Sequence, residues 1–203
     1  RTPWVIRCWV VAMTIKSSAV NVSHTWQAGR FQLSWMLGQP LIMGIVNVTP
    51  DSFSDGGLHA NQAAALDHAR LMIEQEAEII DIGGESTRPG AGEVPAAEEM
   101  ARVIPVIRAL RQKTDAAISI DTMKPSVAAA AIHAGADIIN DVSGFRDPVM
   151  RSLAAATDTG CIVMHMQGEP GTMQVAPHYD DVVQEVGEYL QSRVSACEQH
   201  GMA

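Results

Sequence analysis

Polar residues recur at the ends of short apolar runs, and their types could bind a flat heterocycle. The residues are Asn47, Asp81, Asp121, Asn140 and His165, and each lies at or near the end of a run rich in isoleucine and valine. An ionised carboxylate only accepts hydrogen bonds, whereas an amide both donates and accepts. Asp121 and Asn140 together can therefore bind the edge of a ring that carries adjacent N–H donors, as a pterin does.

The segments that follow the first two runs have residue types that could bind an anion. Residues 49–57 and 83–90 are rich in glycine and hydroxyl side chains, and the second segment contains Ser86, Thr87 and Arg88. Such loops expose N–H groups that can surround phosphate oxygens. Asn47 offers a single carbonyl oxygen, which suits a Mg²⁺ ion whose other ligands are water and phosphate. These residues predict a site for a flat nitrogen heterocycle that carries a diphosphate.

Each of these residues also has a purely structural interpretation. An Asp or Asn at a strand end often caps the segment that follows it, and glycine pairs are common in turns. A single histidine such as His165 is typically a hydrogen-bonded core residue. The functional hypothesis rests on the recurrence of polar groups at five successive strand ends, because capping alone would not place them at one rim.

The elements that must position these residues alternate between strand and helix from residue 40 onward. Apolar runs predict buried parallel strands at 41–46, 78–82, 117–120, 137–139 and 161–164. Helical spacing of apolar residues predicts helices at 62–75, 96–112, 126–134, 149–157 and 180–199. The average spacing of the strand ends is close to the roughly 31 residues per unit of an eight-stranded barrel. We therefore predict an α/β fold, a (β/α)8 TIM barrel. The alternative is an open doubly wound sheet, but the Gly-x-Gly-x-x-Gly typical of that fold does not follow the first strand.

The domain prediction assigns residues 38–203 to the barrel and residues 1–37 to a poorly ordered extension. Residues 38–203 contain five strand–helix units, and a barrel of this type closes with eight. We therefore expect the barrel to be incomplete at the C-terminal end of this chain. The apolar segment 4–13 is interrupted by Arg7 and is too short to span a membrane.

Composition narrows the classes of partner. Lys and Arg number 14 against 23 Asp and Glu, which gives a net charge of −9, and only 4% of residues are aromatic. This balance argues against general binding to nucleic acid or membrane surfaces. The three cysteines, Cys8, Cys161 and Cys197, are far apart and lack zinc-like spacing. A reducing, cytoplasmic location is therefore expected.

The motifs that contain these residues resemble those of the dihydropteroate synthase family. Residues 43–57 match the first signature of that family, and residues 79–90 match the second. Residues 119–122, 138–141 and 164–168 continue the family pattern in order. The resemblance covers about residues 38–203 and implies a TIM barrel of the pterin-binding type.

The resemblance implies a reaction and a set of site residues. In that reaction, 6-hydroxymethyl-7,8-dihydropterin diphosphate and 4-aminobenzoate give 7,8-dihydropteroate and diphosphate, a step of folate biosynthesis that sulfonamides inhibit. Asn47 would bind Mg²⁺, and Phe53 and Pro89 would shape the aminobenzoate pocket. The implied substrate-binding residues are Asp81, Thr87, Arg88, Asp121, Asn140 and Met164.

The sequence also departs from that family. Its members use an Asp, a Lys and an Arg-x-His pair from later strands, which this sequence does not supply. We therefore expect the 203-residue chain alone to fold poorly and to have little synthase activity, and we expect the full-length protein to be a homodimer. Two alternatives stay open: a pterin-binding methyltransferase domain and a non-catalytic pterin-binding half-barrel. The complete loop at 51–57 favours the synthase.

Overall fold

Five parallel strands form one sheet, and a helix follows each of them along the chain. The structure is a computed structural model that describes residues 23–36, 38–49, 57–86 and 92–202, without the side chains of residues 57–60. The strands are β1 (Ser23–Ala28), β2 (Phe31–Met36), β3 (Met43–Asn47), β4 (Ile79–Gly83), β5 (Ala117–Asp121), β6 (Ile138–Asp141) and β7 (Gly160–Val163). The helices are α1 (Gly57–Glu74), α2 (Ala96–Arg111), α3 (Pro125–Ala134), α4 (Pro148–Thr157) and α5 (Val182–Glu198).

The five-stranded sheet has the sequential order β3-β4-β5-β6-β7. Every neighbouring pair in it is parallel. A strand order that never reverses is that of a barrel, whereas a doubly wound sheet reverses at a switch point. The predicted α/β architecture of strand–helix units is confirmed for the described residues.

The two faces of the sheet carry different residues because side chains alternate along each strand. One face packs under the helices, and its fully buried members include Ile80, Ile82, Ile118 and Ile120. Each such burial contributes about 2 kcal/mol to stability. The opposite, inner face is apolar where the strands begin and polar where they end. The outer face therefore packs against the helices, and the candidate site residues lie on the inner face.

An antiparallel hairpin, β1 and β2, covers the N-terminal end of the sheet. The prediction of a poorly ordered extension is wrong for residues 23–36, because these residues alternate between exposed and inward-facing side chains. Ala28 is fully buried against Ile79, Ala117 and Ile138, which are the first residues of β4, β5 and β6. Gly29, with a φ of 55°, makes the turn. Residues 1–22 and 37, also assigned to the extension, lie outside the described residues.

Helix boundaries follow ordinary capping rules and differ slightly from the predicted ones. Helix α1 begins at Gly57, five residues before its predicted start. Helix α3 has Pro125 in its first turn and ends at Gly135, whose φ of 115° suits glycine. The Asp181 carboxylate caps α5 by accepting hydrogen bonds from the backbone N–H groups of Val183 and Gln184. No helix in the ranges given above is both long and apolar enough to cross a membrane.

Candidate active site at the carboxyl ends of the strands

Three of the predicted polar residues lie in one row across the sheet. The strand register pairs Asn47 with Gly83, Gly83 with Asp121, and Asp121 with Asn140. A Cβ atom added to Gly83 would lie 3.4 Å from both Asn47 Oδ1 and Asp121 Oδ2. The missing side chain of Gly83 therefore leaves room between the Asn47 and Asp121 side chains. We call this row, Asn47–Gly83–Asp121–Asn140, the polar row.

Asp81 lies two residues before Gly83 in β4, on the same inner face of the sheet. It contacts the polar row through a hydrogen bond. The Asn140 side-chain amide donates from Nδ2 to Asp81 Oδ2 at 3.2 Å. Both residues are buried, with exposed fractions of 2% for Asp81 and 8% for Asn140. Burial raises the pKa of Asp81, and the neighbouring Ser119 and Asn140 side chains partly offset that rise. The Ser119 hydroxyl itself does not reach hydrogen-bond geometry in this conformation.

Asp121 is the carboxyl group of the polar row. Burial, together with the nearby charges of Asp81 and Glu99, raises its pKa to about 8. Near neutral pH this group therefore binds a proton in the absence of a ligand. A ligand that presents N–H donors or positive charge would favour its ionised form. Strongly perturbed acids of this kind are common in functional sites.

Asn47 is an exposed residue at the last position of β3. The described residues contain no group of three or more His, Cys, Asp or Glu side chains that could hold a metal ion by themselves. A protein site for Mg²⁺ commonly uses one or two oxygen ligands together with water and substrate phosphates. The exposed Asn47 amide fits that role and not the role of a complete protein cage.

Met164 and His165 follow β7 and stand at the same end of the sheet. Met164 is 37% exposed. It lies two residues after Ile162 and is therefore on the same, inner face of the sheet. The His165 ring packs edge-on against Tyr189 at 4.8 Å and lies 5.9 Å from Tyr179. His165 is half-buried and lies between these two rings.

The remaining predicted site residues fall outside the described ranges. These are Phe53 in the loop after β3, and Thr87, Arg88 and Pro89 in the loop after β4. The structure does not test their predicted contacts. The described part of the second loop ends at Ser86 and resumes at Gly92.

A buried ion-pair cluster beside the polar row was missed from the sequence. The Lys124 ammonium donates to Glu85 Oε2 and, at 2.7 Å, to Glu99 Oε2. Burial alone lowers the pKa of Lys124, but its bonds to Glu85 and Glu99 raise it overall. Glu99 is fully buried in α2, four residues before the buried Val103. A carboxylate on the apolar face of a predicted helix was the signal available in the sequence.

A cavity of about 440 Å³ opens between this cluster and the polar row. Asp121 and Glu99 line it, together with Thr122, Val142 and Pro170 from the loops after β5, β6 and β7. The cavity thus touches the polar row at Asp121, while Asn47, Asp81 and Asn140 are not among its lining residues.

The sequence and structure are similar to those of known proteins. The family model described as "Pterin binding enzyme" matches residues 43–203. The Escherichia coli K12 dihydropteroate synthase is 52% identical over 167 residues, which cover 82% of this chain and 59% of that enzyme. The Yersinia pestis dihydropteroate synthase, solved in a sulfonamide drug complex, has a TM-score of 0.80 and 46% identity over 89% of this chain and 65% of that one.

A second solved structure, the Burkholderia cenocepacia dihydropteroate synthase complexed with 7,8-dihydropteroate, has a TM-score of 0.75 and 47% identity. The match covers 88% of this chain and 60% of that chain. This chain thus spans less than two thirds of the length of each of these relatives. The family match extends over most of the chain and contains every residue of the polar row. The chain belongs to the family of pterin-binding enzymes.

Proposed function

We propose that this chain carries the pterin-binding part of a dihydropteroate synthase. That enzyme condenses 6-hydroxymethyl-7,8-dihydropterin diphosphate with 4-aminobenzoate and releases diphosphate. The single observation that carries the proposal is the polar row, in which Asp121 and Asn140 lie side by side at the carboxyl ends of paired strands. Sequence identities near 50% to dihydropteroate synthases support the same function.

The polar row can do the work that the reaction requires. The C–O bond to the diphosphate breaks with its electron pair leaving on the phosphate oxygen, and the electron-rich pterin stabilises the methylene cation. The aniline nitrogen then attacks the cation and loses a proton. Asp121 and Asn140 orient the ring, and the ionised Asp121 favours the positive charge that develops on it. Thr87 and Arg88 are proposed to contact the diphosphate.

The proposed cofactor is Mg²⁺, held by Asn47 together with diphosphate oxygens and water. When bound, it would neutralise charge on the leaving diphosphate. Its place at the end of β3 leaves Asp121 and Asn140 to the ring. Phe53 and Pro89 are proposed to shape the aminobenzoate pocket, where sulfonamides would compete, and Met164 to pack near the pterin.

A chimera tests the proposed function. It joins this 203-residue chain, with its hairpin, to the part of the E. coli enzyme that has no counterpart here. We expect this chimera to incorporate radiolabelled 4-aminobenzoate into dihydropteroate, and its Asn140→Ala and Asp121→Ala variants to lose at least about 100-fold in kcat/KM. The matched control is Gln112→Ala, which changes the exposed C-cap residue of α2.

The alternatives predict different results in the same experiment. Methyl transfer from methyltetrahydrofolate to a corrinoid, without aminobenzoate incorporation, would favour a methyltransferase domain. Binding of the pterin without either turnover would favour a non-catalytic module. A folded chimera that neither turns over nor binds a pterin would contradict the proposal.

We further propose a cytoplasmic location and a homodimeric full-length protein. Cys161 and Cys197 are free thiols, and burial raises the pKa of Cys161 to about 12, which keeps that thiol protonated and unreactive. These thiols are compatible with a reducing compartment. Light scattering of the chimera would test the dimer, with the mass of two chains expected and a monomer as the contrary result.

A further inference from the structure

The Asn140 side-chain amide donates a hydrogen bond to Asp81, a carboxyl group that has no other role in the proposed reaction. Asp81 is buried beneath the polar row, and its Oδ2 atom lies 3.2 Å from Asn140 Nδ2. Asp81 Oδ2 accepts this hydrogen bond, so the NH₂ group of the Asn140 amide, and not its oxygen, faces Asp81. The orientation of the Asn140 side chain is therefore set by the chemistry of Asp81.

This orientation leaves the carbonyl oxygen of Asn140 without a partner. Asn140 Oδ1 is buried, and no donor within the described parts of the chain reaches it. The strand register places Asn140 directly beside Asp121, whose side chain lines the cavity. A buried acceptor without a donor destabilises the ligand-free protein, and a ligand N–H group would remove that cost.

We propose that Asp81 is a positioning residue that makes the polar row offer a ligand two neighbouring acceptors, Asn140 Oδ1 and the Asp121 carboxylate. The proposal rests on the proposed function and deepens it. It assigns Asp81 to the support of Asn140 and not to contact with the substrate. It also specifies the ligand: the ring edge that meets these two residues must carry N–H donors, and a ring with an acceptor opposite Asn140 is rejected.

Exchanging the two residues tests this assignment. In the wild-type chain the amide and the carboxyl group lie 3.2 Å apart. The Asn140→Asp variant puts two buried carboxyl groups there, which can pair only by sharing a proton, so the group at position 140 is no longer fixed as an acceptor for the ligand. We therefore expect the affinity for 6-hydroxymethyl-7,8-dihydropterin diphosphate to fall about 10- to 100-fold. In the double variant Asp81→Asn/Asn140→Asp, the new amide donates to the new carboxyl group, whose second oxygen lies beside Asp121. An acceptor is thus restored there, and we expect affinity within about fivefold of the wild-type chain.

Two further variants separate positioning from packing. Asp81→Leu keeps the number and branching of the side-chain heavy atoms but removes the acceptor. We expect a 10- to 100-fold loss of affinity in calorimetry without loss of the folded state. Ser119→Ala changes the buried inward-facing neighbour of Asp81 on β5 and serves as the matched control, with affinity expected within about threefold.

A second measurement does not depend on ligand binding. The side-chain NH₂ signals of Asn140 can be assigned in the ¹⁵N spectrum by their loss in Asn140→Asp. We expect them to be protected from exchange in the wild-type chain and to shift and lose protection in Asp81→Leu, while Ser119→Ala leaves them unchanged. If the wild-type chain does not bind the pterin, the proposed function fails and this spectrum alone decides the positioning role.

Two results would overturn the positioning role. One is a double variant that binds as weakly as Asn140→Asp, since Asn140 would then act as a donor to the ligand. The other is an Asn140 NH₂ signal that does not respond to Asp81→Leu. If Asp81→Leu does not fold, the near-isosteric exchange pair still gives the answer.

Discussion

Asp121 illustrates how the fold alters the chemistry of one residue. Its carboxyl group is surrounded by acids, and burial together with Asp81 and Glu99 raises its pKa to about 8. A carboxyl group in an unfolded chain has a pKa of about 3.9. The folded state therefore keeps a proton on Asp121 over a range in which the unfolded state has lost it. A ligand that offers N–H donors to Asp121 would favour loss of that proton.

The first prediction follows from this difference. Between about pH 4 and pH 8 the folded state binds one more proton at Asp121, so raising the pH lowers the free energy of unfolding by about 1 kcal/mol per pH unit from this group. We expect Asp121→Asn to match the wild-type chain near pH 4 and to be the more stable protein near pH 8. Urea unfolding across this range measures the difference, and parallel stability curves for the two proteins would contradict it.

The sequence allowed part of this site to be predicted. Asp121 and Asn140 end predicted parallel strands, and such ends meet at one edge of a sheet, so their proximity followed from the strand pattern. The hydrogen bond between Asp81 and Asn140 did not follow. It depends on the exact register of β4, β5 and β6, and these residues are 59 positions apart in the chain. A shift of one residue would reverse the facing of every side chain in a strand.

At the scale of elements, Lys124 connects three parts of the fold. It precedes α3 and pairs with Glu85 after β4 and with Glu99 in α2. The side chain of Glu99 is 1% exposed and that of Lys124 is 15% exposed. A buried carboxylate that loses its partner carries an uncompensated charge, which is far more costly than the loss of a surface ion pair.

The second prediction uses this contrast. We expect Lys124→Met to lower the free energy of unfolding by about 3 kcal/mol, because Glu85 and Glu99 are left unpaired. The control Arg70→Met removes an exposed side chain that lies near Asp67 and Glu74 on the surface of α1, and its cost should be below about 0.5 kcal/mol. Denaturant unfolding measures both, and equal effects would show that the cluster is not a buried ion pair.

The hairpin of β1 and β2 provides the second case at this scale. Gly160 opens β7, and a Cβ atom on it would lie 2.7 Å from Ala28 Cβ and 2.9 Å from Trp26 Cζ2. The hairpin therefore packs directly on the start of β7. This packing was hard to predict, because the short alternating segments 23–28 and 31–36 lack the continuous apolar runs of the five central strands.

The third prediction compares two glycines. We expect Gly160→Ala to lower the free energy of unfolding by about 1–3 kcal/mol, since the new methyl group forces the hairpin away from the sheet. Gly187→Ala is the control, because it lies inside α5 with nothing within 4 Å of the added Cβ. That substitution should stabilise the chain by about 1 kcal/mol. Thermal unfolding of both variants measures this, and a neutral Gly160→Ala would mean that the hairpin is not docked there.

At the scale of the whole molecule, the chain presents the proposed pterin-binding surface without all the groups that a synthase is expected to use. It spans 59% of the E. coli enzyme, and the later strands of that family are expected to supply an Asp, a Lys and an Arg-x-His pair. The barrel type, the five units and the positions of the polar row were all predictable, because strand–helix alternation and strand-end chemistry are encoded locally. The docking of the hairpin on the sheet and the ion-pair cluster were not, because they depend on contacts distant in sequence.

The fourth prediction concerns activity. We expect the 203-residue chain alone to show at most about 1% of the turnover of the chimera, because ring and diphosphate contacts are incomplete. The aminobenzoate incorporation assay, run at equal protein concentration, measures both proteins. Turnover by the chain equal to that of the chimera would show that the later groups are not required.

The most direct test of the central claim, that the polar row binds a pterin, is a calorimetric titration of the 203-residue chain. The titrant is 6-hydroxymethyl-7,8-dihydropterin diphosphate, with Mg²⁺ and without aminobenzoate. The account predicts saturable binding of one molecule per chain, weakened at least about 100-fold in both Asp121→Ala and Asn140→Ala. Binding that is unaffected by these substitutions, or no binding by a folded chain, would contradict it.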